Sequence, residues 1–257
     1  MPAEDATRRF SSRVEKYVLY RPGYPGELVG LLARECELTT QSVIADVGSG
    51  TGKLSEIFLA HGNRVFAVEP NAEMRGAAEQ WLGNREGFVS VAATAEATTL
   101  ADRSVDFVTA GQAAHWFDLP KSRMEFARIL RPRGWVVLVW NERLTGVPFL
   151  EDYERLLLTY GTDYQEIRHE KTAERLGEFF APSIFEERVL GLSQTFDYSG
   201  LEGRLLSSSY TPHPGDARYE PMLAALRELF EKYGSNGSVV FEYRTRVFYG
   251  QLDGLPS

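Results

Sequence analysis

The chain has 257 residues, 43% of them hydrophobic, enough to bury a sizeable core as one large α/β domain or as a domain with a small cap. A net charge of -8, with no run of Lys or Arg, disfavours a nucleic-acid surface, so small molecules or proteins are the expected partners. A single cysteine, Cys36, excludes an intrachain disulfide and a thiolate metal cluster.

The opening "MPAEDATRRF" has no signal-peptide core, and the longest plain apolar run, "WVVLVW", is too short to span a bilayer; a cytoplasmic location is the default expectation. Phe10, Val14, Tyr17 and Val18 fall at helical spacing, and "YRPGYP" then breaks the chain. A helix is expected from Gly26 to Cys36. Next come a strand Val43 to Val47, a helix Thr51 to His61 ended by Gly62, a strand Arg64 to Val68, and a helix Ala72 to Leu82 capped by Asn71. Strands near Phe88 to Ala93 and Val105 to Ala110, a helix Leu119 to Leu130, an "RPRG" turn and a strand Trp135 to Trp140 continue the alternation. Such alternation predicts a parallel sheet with helices on both faces and a ligand at the carboxyl ends of the strands.

Beyond Trp140 the pattern changes. Leu150, Tyr153, Leu156, Leu157 and Tyr160 repeat at helical spacing, as do Tyr219, Met222, Leu223, Leu226, Phe230 and Tyr233. Phe185 to Phe196 and the alternating stretch Val239 to Tyr249 read as strands that complete the sheet as an antiparallel pair. No linker intervenes, so one domain is expected, with helices folded over the carboxyl edge as a lid and "SSSYTPHP" as a lid loop.

The stretch "VIADVGSGTGKLSEIFL" ends a strand at Asp46 and turns into a helix through Gly48, Gly50 and Gly52. Without side chains the backbone there can approach a ligand, and the first amides of the helix can hydrogen-bond it, which implies a nucleotide-like molecule. The dinucleotide fingerprint lacks its third glycine, because position 53 is Lys53, and the P-loop pattern fails because Leu54 follows that lysine. What remains is Asp-x-Gly-x-Gly-x-Gly, with Glu69 at the end of the second strand, where a carboxylate can accept both hydroxyls of a ribose.

On these residues the sequence resembles the class I S-adenosylmethionine-dependent methyltransferases, especially those acting on small molecules. The likeness covers most of the chain, with its specific motifs between Tyr17 and Trp140; Ser49 stands where family members often have Cys. It implies a Rossmann-like, seven-stranded, mainly parallel sheet in a single domain over residues 1–257. Residues 1–36 would be cofactor-closing helices, 42–141 the cofactor-binding core, and 142–257 the lid helices and last two strands. It implies S-adenosylmethionine as cofactor, with Asp46, Gly48, Ser49, Gly50 and Gly52 at its methionine part and Glu69 at the ribose. Pro70, Asn71 and Met74 would follow, Met74 lining the adenine, with Ala95 and Glu96 of "ATAEATTL" at its border. Gln112, His115 and Trp116 of "AGQAAHWFD" would face the methyl group. In "YVLYRPGYP", Tyr17, Tyr20 and Arg21 would close over the amino-acid end, as in the subgroup related to trans-aconitate methyltransferases.

Each residue also has a plainer reading. Glu96 can be a solvated loop carboxylate, His115 and Trp116 can pack together, and Arg21 can form a surface ion pair. The sulfonium makes the methyl group electrophilic, so a base such as His115 is needed only for a protonated nucleophile, and a carboxylate is ready at pH 7. Gly111 to Trp116 lacks the N-P-P-Y type tetrapeptide of enzymes that methylate base or amide nitrogens. An anionic acceptor would need cations, with Arg143 and, in the lid, Arg204 as candidates; Tyr210 of the lid loop is a candidate substrate contact. A nicotinamide-dependent oxidoreductase and a cofactor-binding member without activity are the alternatives. His61, His115, His169 and His213 offer no close metal-ligand pair, so no metal is expected.

Overall fold

A strand whose successive side chains are all apolar must be covered on both faces, and that is how the central strands of this chain lie. The computed structural model describes residues 18–162, 172–208 and 210–252. Helix α1 (Glu27–Glu35) leads into β1 (Val43–Val47), α2 (Lys53–His61), β2 (Arg64–Val68), α3 (Ala72–Leu82), β3 (Phe88–Val91), β4 (Val105–Gly111), α4 (Leu119–Ile129) and β5 (Leu130–Arg143). Helices α5 (Pro148–Tyr160) and α6 (Thr172–Phe180), strand β6 (Phe185–Phe196), helices α7 (Tyr198–Leu206) and α8 (Tyr219–Tyr233), and strand β7 (Val239–Gln251) follow.

The seven strands form one sheet in the order β3-β2-β1-β4-β5-β7-β6. Strands β1 to β5 pair in parallel, and β7 alone runs against its neighbours β5 and β6. The chain winds outward from β1 to β3 and then returns to β4 beside β1. A crevice therefore opens between the carboxyl ends of β1 and β4, where such sheets bind ligands.

Alternate residues of the strands feed two layers. Ala45, Val47, Val136, Leu138 and Trp140 pack with Phe126 of α4 and Phe179 and Phe180 of α6. Ile44, Val137 and Val139 point the other way, against Leu28 and Leu32 of α1 and Phe58 of α2. A third apolar cluster joins α5, α7 and α8 to the ends of β6 and β7 through Tyr153, Leu201, Met222, Phe196 and Phe241. Among the described residues, no helix is long and apolar enough to cross a membrane.

Caps account for several helix ends. Asn71 accepts the amides of Glu73 and Met74 at the start of α3, and Gly62, at φ 100°, stops α2 in the left-handed region. Helix α2 starts two residues later than its periodicity suggests, because Gly52 is itself left-handed at φ 84°. The "RPRG" segment is no turn between elements. It is a bulge inside β5, where pairing with β4 steps from Val105↔Leu130 to Phe107↔Trp135. Helices α6 and α7 fall in stretches whose individual helices the sequence pattern leaves unread, and the pattern before Val18 lies outside the described residues.

Candidate active site

The three glycines sit where their missing side chains matter. Gly48 has φ 67°, and a Cβ there would come within 2.6 Å of Ala113 Cβ in the loop after β4. At Gly50, φ 57°, it would lie 3.3 Å from the Met74 side chain, and at Gly52 2.5 Å from Leu82. Left-handed backbone and close approach together require glycine. The loop amides are not bare, however. Gly48 and Ser49 both donate to the Val68 carbonyl, Gly52 to Ser49, and Gly50 to Glu69. Carbonyls and a carboxylate within reach have taken those donors. What the loop offers instead is shape and side-chain hydroxyls: Ser49 Oγ and Thr51 Oγ1 are buried with no hydrogen-bond partner among the described residues.

Asp46 is fully buried behind this loop, and its carboxylate accepts from Ser55 Oγ at 2.6 Å and Thr109 Oγ1 at 3.2 Å. Burial pushes its carboxyl up to about 6, against the pull of both hydroxyls. Its recorded bonds tie β1 to α2 and β4. Glu69 stands at the loop itself. One oxygen accepts the Gly50 amide at 2.9 Å and the other the Asn71 amide at 2.8 Å, which leaves lone pairs on both for further donors. Burial raises this carboxyl above its usual range, and the two amides oppose the shift.

Met74 and Ala95 are buried apolar walls, whereas Pro70 is exposed. Glu96 does something neither expectation included: it accepts the Asp118 amide at 2.9 Å and so joins the loop after β3 to the start of α4. At the end of β4, Gln112 adopts φ 54°, a conformation uncommon outside glycine. Its amide nitrogen donates to the Asn141 carbonyl at 3.0 Å, while its Oε1 is buried without a partner among the described residues. His115 and Trp116 lie on a short 3-10 turn after β4, their rings 4.8 Å apart and tilted.

The segment before α1 crosses this end of the sheet. Lys53 Nζ donates to the Val18 carbonyl at 2.9 Å, Asn141 Nδ2 donates to Gly23 at 2.8 Å, and the Tyr24 hydroxyl lies against Gly111. Tyr20 packs its ring on Gly203 of α7, and Arg21 donates to the Ser207 carbonyl at 3.3 Å. Tyr17 lies outside the described residues.

Across the crevice the lid contributes cations and phenols. Arg143, the last residue of β5, pairs with Glu154 and lies 5.6 Å from the Tyr153 ring. Arg204 donates to Tyr243 Oη at 3.3 Å and Ser208 Oγ at 3.4 Å. Burial alone would raise the Tyr210 phenol, yet Arg143, Arg21 and Arg204 around it bring it down to about 8. The structure thus gathers Arg21, Arg143, and Arg204 with Tyr210 from three separate stretches of chain.

Sequence reasoning missed Thr51, Tyr24, Tyr153 and above all Asn141. Besides holding Gln112 and Gly23, Asn141 accepts the Thr245 hydroxyl at 2.6 Å. Its one sequence signal is position, as the first polar residue after "WVVLVW". Among the described residues no group of His, Cys, Asp or Glu could hold a metal ion. S-adenosylmethionine fits the residues present: a glycine cradle, a carboxylate with lone pairs to spare, and three buried oxygens awaiting partners.

Comparison with known proteins agrees. A family model described as a methyltransferase domain matches residues 45–138. An uncharacterised methyltransferase of Schizosaccharomyces pombe is 33% identical over 151 residues, which is 58% of this chain and 59% of that protein. The matched region therefore spans little more than half of that relative. Among solved structures, a candidate type II methyltransferase from Anaeromyxobacter dehalogenans has a TM-score of 0.67 at 24% identity, over 93% of this chain and 100% of that one. A candidate methyltransferase from an antibiotic biosynthesis pathway of Anabaena variabilis has a TM-score of 0.61 at 26% identity, over 94% and 100%. Sheet order, glycine loop and the acidic residue after β2 thus accompany a match to a methyltransferase domain over residues 45–138, and together they are the features of a class I S-adenosylmethionine-dependent methyltransferase.

Proposed function

We propose that this protein transfers a methyl group from S-adenosylmethionine to an oxygen atom of a small-molecule acceptor. The observation that carries this reading is the convergence of the glycine loop, Glu69 and the strained Gln112 on the crevice between β1 and β4. Glu69 would accept the ribose hydroxyls, with Asn71 fixing its second oxygen. Ser49, Thr51 and Gln112 would meet the polar parts of the cofactor, Met74 and Ala95 its adenine, and Tyr20 and Arg21 would close over the amino-acid end. When bound, the cofactor supplies an electrophilic methyl group, so the protein has to align a nucleophile behind it at about 3 to 3.5 Å and exclude water.

His115 and Trp116 would border the attacking atom. A carboxylate needs no base there, and with such an acceptor turnover is expected to be flat between about pH 6 and 8; a phenol would need His115 neutral and lose rate as the ring protonates. A small acceptor also accords with the Anabaena variabilis relative, whose pathway makes an antibiotic.

The test is a thermal-shift comparison of S-adenosylmethionine, S-adenosylhomocysteine and NADH, followed by mass detection of methylated products from small acids, phenols and amines. A ligand at about 100 times its dissociation constant adds about 2.7 kcal/mol, which raises the midpoint by several degrees. A rise with the two sulfur compounds and none with NADH is expected. A rise with NADH alone would sink the reading, and methylation confined to nitrogen acceptors would remove the oxygen assignment.

A further inference from the structure

A guanidinium taken out of water costs several kcal/mol unless an anion goes with it, so a buried arginine among neutral partners marks a place for one. Arg204 is 3% exposed, and its recorded hydrogen bonds go to two neutral hydroxyls, those of Tyr243 and Ser208. No carboxylate is paired with it among the described residues; the groups acting on its charge are Tyr243, Tyr153 and Tyr210.

Tyr153 is an independent sign. It is fully buried, and its hydroxyl has no hydrogen-bond partner among the described residues. A buried O–H left unpaired forfeits the hydrogen bond it made to water, and such groups await a water, an ion or a ligand. Phe241 lies against both groups, its ring 4.9 Å from that of Tyr153 and 5.9 Å from the Arg204 guanidinium, and Arg143 lies over the Tyr153 ring. The cluster adjoins the crevice: Arg143 stands two residues beyond Asn141, which holds Gln112, and Arg21 reaches α7 from the segment crossing the site.

We propose that this cluster is the recognition site for the acceptor, and that the acceptor carries a carboxylate held between the Arg204 guanidinium and the Tyr153 hydroxyl. The anion site stands on geometry alone, whereas calling its occupant the acceptor rests on the methyl-transfer reading above. A carboxylate suits it better than a phosphate. Glu154 already offsets Arg143, and Arg204, for which the described residues hold no carboxylate partner, matches a single negative charge.

The 257-residue chain and two variants, Arg204→Met and Tyr153→Phe, test this by thermal shift with benzoate, malonate and citrate. Benzamide serves as the neutral isostere, inorganic phosphate as the other anion, and sodium chloride as the ionic-strength control. At least one carboxylate is expected to raise the wild-type midpoint by several degrees, with no rise from benzamide. Arg204→Met should weaken that carboxylate about ten-fold or more, while its unliganded midpoint equals or exceeds that of wild type, because methionine removes a buried charge. Tyr153→Phe should keep or raise the unliganded midpoint, because it removes an unpaired buried hydroxyl, and weaken the carboxylate several-fold.

The proposal is overturned if no carboxylate exceeds chloride, if phosphate alone does, or if both variants respond as wild type does. Should Arg204→Met fail to fold, an unchanged response of Tyr153→Phe is enough to overturn it. S-adenosylhomocysteine run in parallel separates the two readings. Its binding without any carboxylate effect removes only the anion site. A carboxylate effect without its binding removes the methyl-transfer reading and leaves the anion site standing.

Discussion

The two halves of the sheet present opposite charge to the crevice between them. On the side of β1 and β2, the buried ionisable groups are the carboxyls Asp46 and Glu69, both raised by burial and held by hydroxyls or amides. On the side of β5 and the lid stand Arg143 and Arg204 among tyrosines, with Arg21 reaching over from the crossing segment. The contrast shows how a chain of net negative charge keeps its unlike buried charges apart, carboxyls under the glycine loop and guanidiniums among the phenols of the other side. Low-dielectric walls on both sides make each charge count for more than it would in water.

The strongest way to break the comparison is through glycines. Gly48 and Gly146, one at each region, are both left-handed, but a Cβ at Gly48 meets Ala113 while one at Gly146 meets nothing within 4 Å. Gly48→Ala is expected to lower unfolding free energy by about 3 kcal/mol, from strain plus overpacking, and Gly146→Ala by about 1 kcal/mol from strain alone. Equal losses in urea melts would show that the glycine loop is no tighter than the lid turn.

Next is the charge buried at Asp46. Burial holds its carboxyl at about 6 in the fold against 3.8 for an ordinary aspartate, so the native state holds the proton more tightly than the unfolded chain does. Stability from this group is full below the lower value and lost as pH rises through the higher one, a change of about 3 kcal/mol. Relative to wild type, Asp46→Asn should therefore gain about that much between pH 4 and pH 7. A constant difference across that range would contradict the sign.

Glu69→Gln sharpens the contrast at the ligand. It keeps an acceptor for the Gly50 amide but removes the charge, and charge-assisted hydrogen bonds contribute about 1.5 to 3 kcal/mol. Calorimetry should show S-adenosylhomocysteine binding weakened about ten- to a hundred-fold, with the ligand-free protein about 1 to 3 kcal/mol less stable, because the new NH2 group faces the Asn71 amide. The smallest effect is expected at Lys53, which joins the two regions through the Val18 carbonyl. In stopped-flow experiments Lys53→Met should speed S-adenosylhomocysteine release a few-fold, about 1 kcal/mol. An unchanged rate would mean that the crossing segment closes the site without it.

Most of the parallel half was legible in the residues because its signals are local. Apolar runs such as "VIADV" and "WVVLVW" settle as doubly covered strands, and Asn71 and Gly62 mark helix ends by their own chemistry. The glycine loop and Glu69 were legible for the same reason, since a strand-to-helix turn lies within a few residues. The bulge in β5 was not, because "RPRG" has turn chemistry and only pairing with β4 decides that it stays in the sheet.

By itself, then, the sequence determined the alternation of elements, the glycine turn after β1 and the acidic residue after β2, all set by short-range periodicity and backbone sterics. The tertiary structure alone decided what the polar groups do. Asp46 meets Thr109 across 63 positions, Asn141 meets Gly23 across 118, and Arg204 comes to Tyr153 through packing of the lid helices. A hydrogen bond or an ion pair depends on distances of a few ångströms between side chains far apart in the chain, and no local pattern encodes those.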